Sequence, residues 1–342
     1  MRKFFDSHAL WLSMVIGALG HTYFLPLKPI LPWLIFFMLF FTFCKVNPLD
    51  LRLHRWHWVV LTAQLLLGFG VYAAVRHFTH DQILAQGLLM CFIMPTATAA
   101  PIIAGKLGGS IQNLTTFTLL SNFATAIIVP LTFPLINPAS DMTFLPAFLL
   151  ILSRVAPLLL GPFFAAWLLR IGYNTYYRKT SFTSSSSSTS TAPRQFSLPK
   201  KLAILPFYLW VASIVVLMSV VTETVITNFQ SQISNIIILL IASFFACLIQ
   251  FGLGKWIGYK LPAPSKGRDY QDILINPAAA PKTMAGVSSI TAGQAFGQKN
   301  TSLGVWMAQT FLDPLSSLGA AAYILWQNIF NSAQLFIAAH KK

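Results

Sequence analysis

The sequence predicts an all-α integral membrane protein, and three observations predict it: the balance of apolar to charged residues, the spacing of long apolar runs, and the placement of the basic side chains. Of 342 residues, 56% are hydrophobic and only 9% are charged, where a soluble domain carries about 25% charged residues. Length alone would suggest about two soluble domains, and this composition removes that reading. A spanning helix needs about 20 mostly apolar residues. Ten such runs fall near residues 9–26, 30–46, 57–76, 83–105, 111–136, 144–169, 202–222, 233–257, 271–295 and 302–327.

In chain order, the first run follows a basic start, MRKFFDSH, and ends without a small-x-small cleavage site, so it is expected to stay as a span. The third opens on LHRWHW, where Trp56 and Trp58 beside His54 and His57 suggest an interfacial aromatic belt. The fourth contains MPTATAAPIIAGKLGG with Pro95 and Pro101, and the ninth contains INPAAAPKTMAGVSSITAG with Pro277 and Pro281. Two prolines a few residues apart remove backbone donors and clash with the preceding turn, so both spans are expected to be interrupted there. In the fifth span Thr115, Thr118, Ser121, Asn122 and Thr125 fall on one helical face, and in the tenth Gln309, Asp313, Ser316 and Ser317 do the same. Between spans six and seven, within about 173–200, residues 181–191 read SFTSSSSSTST; a stretch that buries nothing is expected to be a flexible cytoplasmic linker.

An even number of spans puts both termini on one side. With the termini in the cytoplasm, 18 of the 23 Lys and Arg lie inside, three (Lys28, Arg76, Lys299) outside, and two (Arg154, Lys282) within spans. That bias is what insertion requires. The net charge of +15 is therefore a threading signal, and the expected partner is a lipid bilayer, with no nucleic acid; the expected location is a bacterial inner membrane.

AAPIIAG at 99–105 and AAPKTMAG at 279–286 echo each other, in the fourth span of the first five and the fourth of the second five. Five is odd, so the halves 1–142 and 143–342 are expected to be inverted repeats with broken, crossing helices 4 and 9. That layout points to a secondary transporter's central site, against the plainer alternative of two Pro-kinked helices packed through small residues. Arg154, Lys282 and Asp313 are the ionisable residues expected deep in spans, where a charge normally faces a cavity or a partner. Lys282 is expected to offer a positive charge to an anionic substrate, with Asp313 as its partner or a cation ligand and Arg154 as a further charge partner; a purely structural ion pair remains the alternative. Cys44, Cys91 and Cys247 lie far apart in apolar runs and indicate neither disulfide nor zinc. No HExxH, GxSxG or P-loop is present, so no enzyme and no cofactor are expected.

At these residues the chain resembles the bile acid:sodium symporter family. PTATAAPI at 95–102 runs alongside the family's PGGTASNV motif, Ala63 and Gln64 look like its Ala-Gln pair in span three, and Thr118 matches a polar threonine of span five. The resemblance implies a panel domain and a core domain, sodium sites beside the crossing helices, and alternating-access uptake of a small organic anion. It also departs from the family. Ala100-Pro101 stands where the sodium-coupled members have Ser-Asn, and Asn276 and Ala280 align with their span-nine Glu and Gln. The implied ligands Gln64, Thr98, Thr118 and Asn276 then hold no carboxylate, which a hard cation usually wants. Substrate and ion binding is thus expected at Gln64, Thr98, Pro101, Thr118, Asn122, Asn276, Lys282 and Asp313, with sodium or a proton as the coupling ion. A built-in lysine charge in the cation's place is a further possibility at Lys282. A cation/proton antiporter of related architecture and a channel are the alternatives.

Overall fold

The computed structural model describes residues 2–46, 51–138, 142–183, 199, 202, 204–263 and 280–340, with side chains for all of these except 2–10, 177–183 and 280–283. Among them, every regular element is helical. The order is α1 (Arg2–Leu19), α2 (His21–Phe24), a 3-10 turn (Leu25–Ile30), α3 (Leu31–Phe43), α4 (Arg55–Thr79), α5 (Gln82–Ile93), α6 (Ala100–Leu107), α7 (Ile111–Ile136), α8 (Phe144–Thr183), α9 (Leu205–Lys260), α10 (Ala280–Gly297), α11 (Thr301–Phe311), a 3-10 turn (Pro314–Ser316) and α12 (Ser317–His340).

Five helical stretches, His21–Phe43, Arg55–Thr79, Ile111–Ile136, Phe144–Tyr176 and Leu205–Lys260, are each long and apolar enough to cross a bilayer. The last has 56 residues and leaves helical geometry at Gln232 (φ −130°, ψ 20°), which divides it into two legs of span length. This is a multi-pass membrane protein. Because lipid is as apolar as the helix surfaces, helices must gain by close packing. Gly254 and Gly258 on the second leg of α9 supply such a seam: a Cβ added at Gly254 would lie 2.5 Å from the Ala292 carbonyl oxygen, and one at Gly258 2.6 Å from the Ser288 carbonyl carbon. Gly319 of α12 meets the backbone of Gly87 on α5 in the same manner.

Several elements differ from expectation. Helix α8 runs on to Thr183, so the start of the predicted linker is helical; residues 184–198 lie outside the described residues. Trp56 and His57 do not form an outward belt. They are buried, with Trp56 stacked on Phe117 of α7 at 5.7 Å and His57 Nε2 3.1 Å from the Asn113 carbonyl, and of the belt tryptophans only Trp58 is exposed. The tenth span, expected at 302–327, is not continuous: α11 ends at Phe311, and Asp313 then caps a short turn opened by Pro314. Eleven residues make about 16 Å of helix, half a bilayer core, whereas α12 has 24 residues and full span length. The polar stripe from Gln309 to Ser317 is accordingly a knot on a turn, with Gln309 Nε2 donating to Ser317 Oγ (2.9 Å) and to Thr224 Oγ1 (3.0 Å).

Candidate functional site

Two helices stop inside the protein and their interruptions meet. Helix α5 ends at Ile93 and α6 begins at Ala100; α10 ends at Gly297 and α11 begins at Thr301. The intervening strands run antiparallel past each other at Thr96 and Lys299. Ala97 N donates to the Gln298 carbonyl at 3.0 Å, and Asn300 N donates to the Pro95 carbonyl at 2.7 Å. The meeting point lies at the seam of two apolar clusters, the larger including Ile93, Met94 and Leu303 and the smaller Ala100, Ala295 and Phe296. Close approach is required there: a Cβ on Gly304 of α11 would collide with the Met94 side chain.

In the apolar interior every backbone group freed by a break needs a partner, and the sequence provides them. Gln64 of α4 donates through Nε2 to the Met94 carbonyl (3.1 Å) and the Ile93 carbonyl (3.4 Å). The Thr96 hydroxyl donates to the Ala295 carbonyl at 2.7 Å, while Thr96 N donates to Ser121 Oγ of α7 at 3.1 Å. Tyr323 of α12 donates to the Gly297 carbonyl (2.8 Å) and accepts from Gln250 Nε2 (3.2 Å), which also donates to the Cys91 carbonyl (3.1 Å). Gln327 clamps both sides of Lys299: its Oε1 accepts from Lys299 N (2.8 Å) and its Nε2 donates to the Lys299 carbonyl (3.3 Å).

The lysine itself is the main finding at this site. Lys299 is 1% exposed. Its Nζ donates to the Phe92 carbonyl in the last turn of α5 (2.9 Å) and stands 5.2 Å from the ring centroid of Phe296 in the last turn of α10. Among the described residues no carboxylate is paired with Lys299. Around the crossing, Gln64 Oε1, Asn122 Oδ1, Gln294 Oε1 and Gln298 Oε1 are buried without a hydrogen-bond partner.

The residues singled out from the sequence divide as follows. Gln64 is at the crossing. Thr98, partly buried, lies in the first interruption and buried Pro101 in the first turn of α6, where proline is tolerated. Thr118 and Asn122 are buried on α7, adjacent to Ser121; the Thr118 hydroxyl bonds its own helix at Leu114, and Asn122 Nδ2 the Thr118 carbonyl. Asn276 lies outside the described residues, and Lys282 is on α10 with its side chain outside them. Asp313 is away from the crossing strands: its carboxylate accepts from Leu315 N at 2.8 Å, and its N–H donates to Gln86 Oε1 at 2.9 Å. Arg154 is exposed on α8. An interruption is thus found at Gln298–Asn300; the one expected at Pro277–Pro281 falls largely outside the described residues, which resume at Ala280. Lys299, expected in an outer loop, is in the protein interior. The signal that could have found it is GQKN, a polar run between the apolar stretches SSITAGQAF and TSLGVWMAQTF.

Interrupted helices joined by a buried polar crossing define a multi-pass membrane protein with discontinuous spans. No protein-family model matches the chain, and no curated protein matches it.

Proposed function

We propose that the chain is a secondary active transporter of the bile acid:sodium symporter type, moving a small organic anion across a bacterial inner membrane by alternating access, with both termini cytoplasmic. On this reading residues 1–142 and 143–342 are inverted five-helix repeats, α5–α6 and α10–α11 are their discontinuous fourth members, and α7 and α12 their fifth. The observation that supports the reading most is the antiparallel meeting of the two interruptions at Thr96 and Lys299, since discontinuous helices with their ends at one buried point are how such transporters build a central site. Uncapped amide oxygens and a lysine at that point suit a solute carrying both an anionic group and hydrogen-bond donors.

The test is counterflow in proteoliposomes. Vesicles loaded with an unlabelled organic anion, with taurocholate and short mono- and dicarboxylates as the probes, are diluted into labelled anion. A transporter gives saturable uptake with a transient overshoot; flux that rises linearly with concentration and shows no overshoot identifies a channel and refutes the reading. A cation/proton antiporter is the second reading, favoured by the lysine Nζ held between two helix ends. It would release protons on addition of sodium in vesicles containing no organic solute.

A further inference from the structure

The resemblance carries sodium sites with it, and the residues at the crossing can be tested for their fit to that ion. Oxygen donors are present: Gln64 Oε1, Asn122 Oδ1 and Gln298 Oε1 are buried and unpartnered. Such oxygens serve a water or a substrate N–H as well as a cation, and charge decides between them. A hard cation's donor set normally includes a carboxylate, whereas every one of these donors is a neutral amide. The one basic group at the crossing, when protonated, has the opposite sign. Lys299 Nζ is buried between the last turn of α5, where it donates to the Phe92 carbonyl, and the last turn of α10, where it faces the Phe296 ring.

Each helix C-terminus carries roughly half a negative charge, so two of them are balanced by about one ammonium. The positive N-terminal end of α11 is met separately, by Asn300 Oδ1 accepting from Leu303 N at 3.2 Å. A second cation at the crossing would be repelled by that ammonium, and an apolar interior screens the repulsion far less than water does. The donor set does not fit a sodium ion while Lys299 is charged.

We propose that Lys299 is the resident cation of the crossing, a covalently attached ammonium that takes the place of a sodium ion, so that the crossing neither binds nor needs sodium. This deepens the transporter reading by removing sodium from its coupling, and it rests on that reading only for its consequence in transport. The binding claim stands on the crossing itself.

The experiment reads sodium binding as a shift in unfolding temperature of the purified full chain in detergent, in NaCl, KCl or N-methyl-D-glucamine chloride at constant ionic strength, with no organic solute present. The wild-type protein is expected to unfold at the same temperature, within about 1 °C, in all three salts. Lys299→Gln, which replaces the ammonium with a neutral oxygen donor of similar reach, is expected to be selectively stabilised by sodium, by several degrees at concentrations far above the dissociation constant. Lys299→Arg, which keeps the charge, is expected to stay insensitive. Saturable, sodium-selective stabilisation of the wild type overturns the proposal, as does a folded Lys299→Gln that responds to no cation. If Lys299→Gln folds only in sodium, that is the expected effect in its strongest form; if it folds in no salt, the wild-type comparison decides alone. Because no substrate enters the measurement, its failure leaves counterflow untouched, and absence of counterflow leaves this result standing.

Discussion

The seam between the second leg of α9 and α10 gives the sharpest test of the packing, through Gly258→Ala. A Cβ at Gly258 would stand 2.6 Å from the Ser288 carbonyl carbon and 2.8 Å from Ala292 Cβ, where carbon atoms rest at about 3.5–4.0 Å. The obstacle is backbone on a helix, which cannot rotate away as a side-chain tip can. Relief requires α10 to move by about 1 Å. Ser288 Oγ accepts from Ala263 N at 2.9 Å, and Ser289 Oγ donates to the Lys255 carbonyl at 2.9 Å; the same movement carries both beyond hydrogen-bonding range. Overpacking costs about 1–3 kcal/mol, a fall of about 2–12 °C in unfolding temperature by the scaling for large domains. Gly252→Ala is the control, on the same leg of the same helix but exposed, with no atom within 4 Å of the added Cβ. There alanine brings only its better helix propensity, a gain of up to about 1 kcal/mol. Thermal unfolding of the purified protein compares the two, and equal shifts of either sign would refute the seam.

Three further outcomes follow from the site and its surroundings. Gln327→Leu leaves the Lys299 N–H buried without a partner, while the Lys299 carbonyl keeps its bond from Thr301 N, and is expected to cost about 1–3 kcal/mol, read as a lowered unfolding temperature. Asp313→Asn keeps an oxygen for Leu315 N, and asparagine caps as well as aspartate, so stability should change by less than about 0.5 kcal/mol; Asp313→Leu should lose about 1 kcal/mol. Any loss of uptake in the asparagine variant then reports the charge and not the turn. His54, just outside the span Arg55–Thr79, has its imidazole held below the ordinary value of 6.5 by burial and, secondarily, by the Arg52 charge, against a hydrogen bond to Asn113. The unfolded chain therefore binds the proton more readily, and stability should be full above pH 6.5 and fall as the pH drops through it, with His54→Gln flattening the slope in a pH series of unfolding temperatures.

Much of the architecture was legible because a bilayer imposes a length on apolar runs. Span five, read from the sequence as 111–136, is α7 at Ile111–Ile136, bounded by Ser110, whose hydroxyl caps Asn113 N, and by the polar Asn137. The first interruption was legible for the same kind of reason: Pro95 sits where no helical donor is available and small residues follow it. The break at Gln298–Asn300 was missed because proline was taken as the sign of an interruption. Pro130 and Pro134 lie within α7 and Pro157 and Pro162 within α8, all in continuous helices, so proline marks where a hydrogen bond is missing and not where a helix must stop. What stops a helix in a membrane is a supply of replacement partners. At the end of α10 these come from Gln327, Tyr323 and Thr96, which lie 28, 26 and 199 positions from Lys299, Gly297 and Ala295, the residues they bond, and no local pattern announces them.

The misplacement of Lys299 has a related cause. A census of basic residues by segment takes any lysine between two apolar runs as a loop marker, because an ammonium in hydrocarbon costs at least about 2.5 kcal/mol even by the lenient insertion scales. That cost is defined for an intact helix, whose carbonyls are all engaged. At a break the carbonyls of the last turn are free, and they form an acceptor set with a partial negative charge. A lysine two residues past the end of α10 reaches the end of α5 because the two strands cross, and its Nζ takes the Phe92 carbonyl that would otherwise be an unmet acceptor in the interior. Helix break and buried lysine are thus one feature, each removing the cost of the other, and the rule that sorts charges by topology fails at the point where the topology is interrupted.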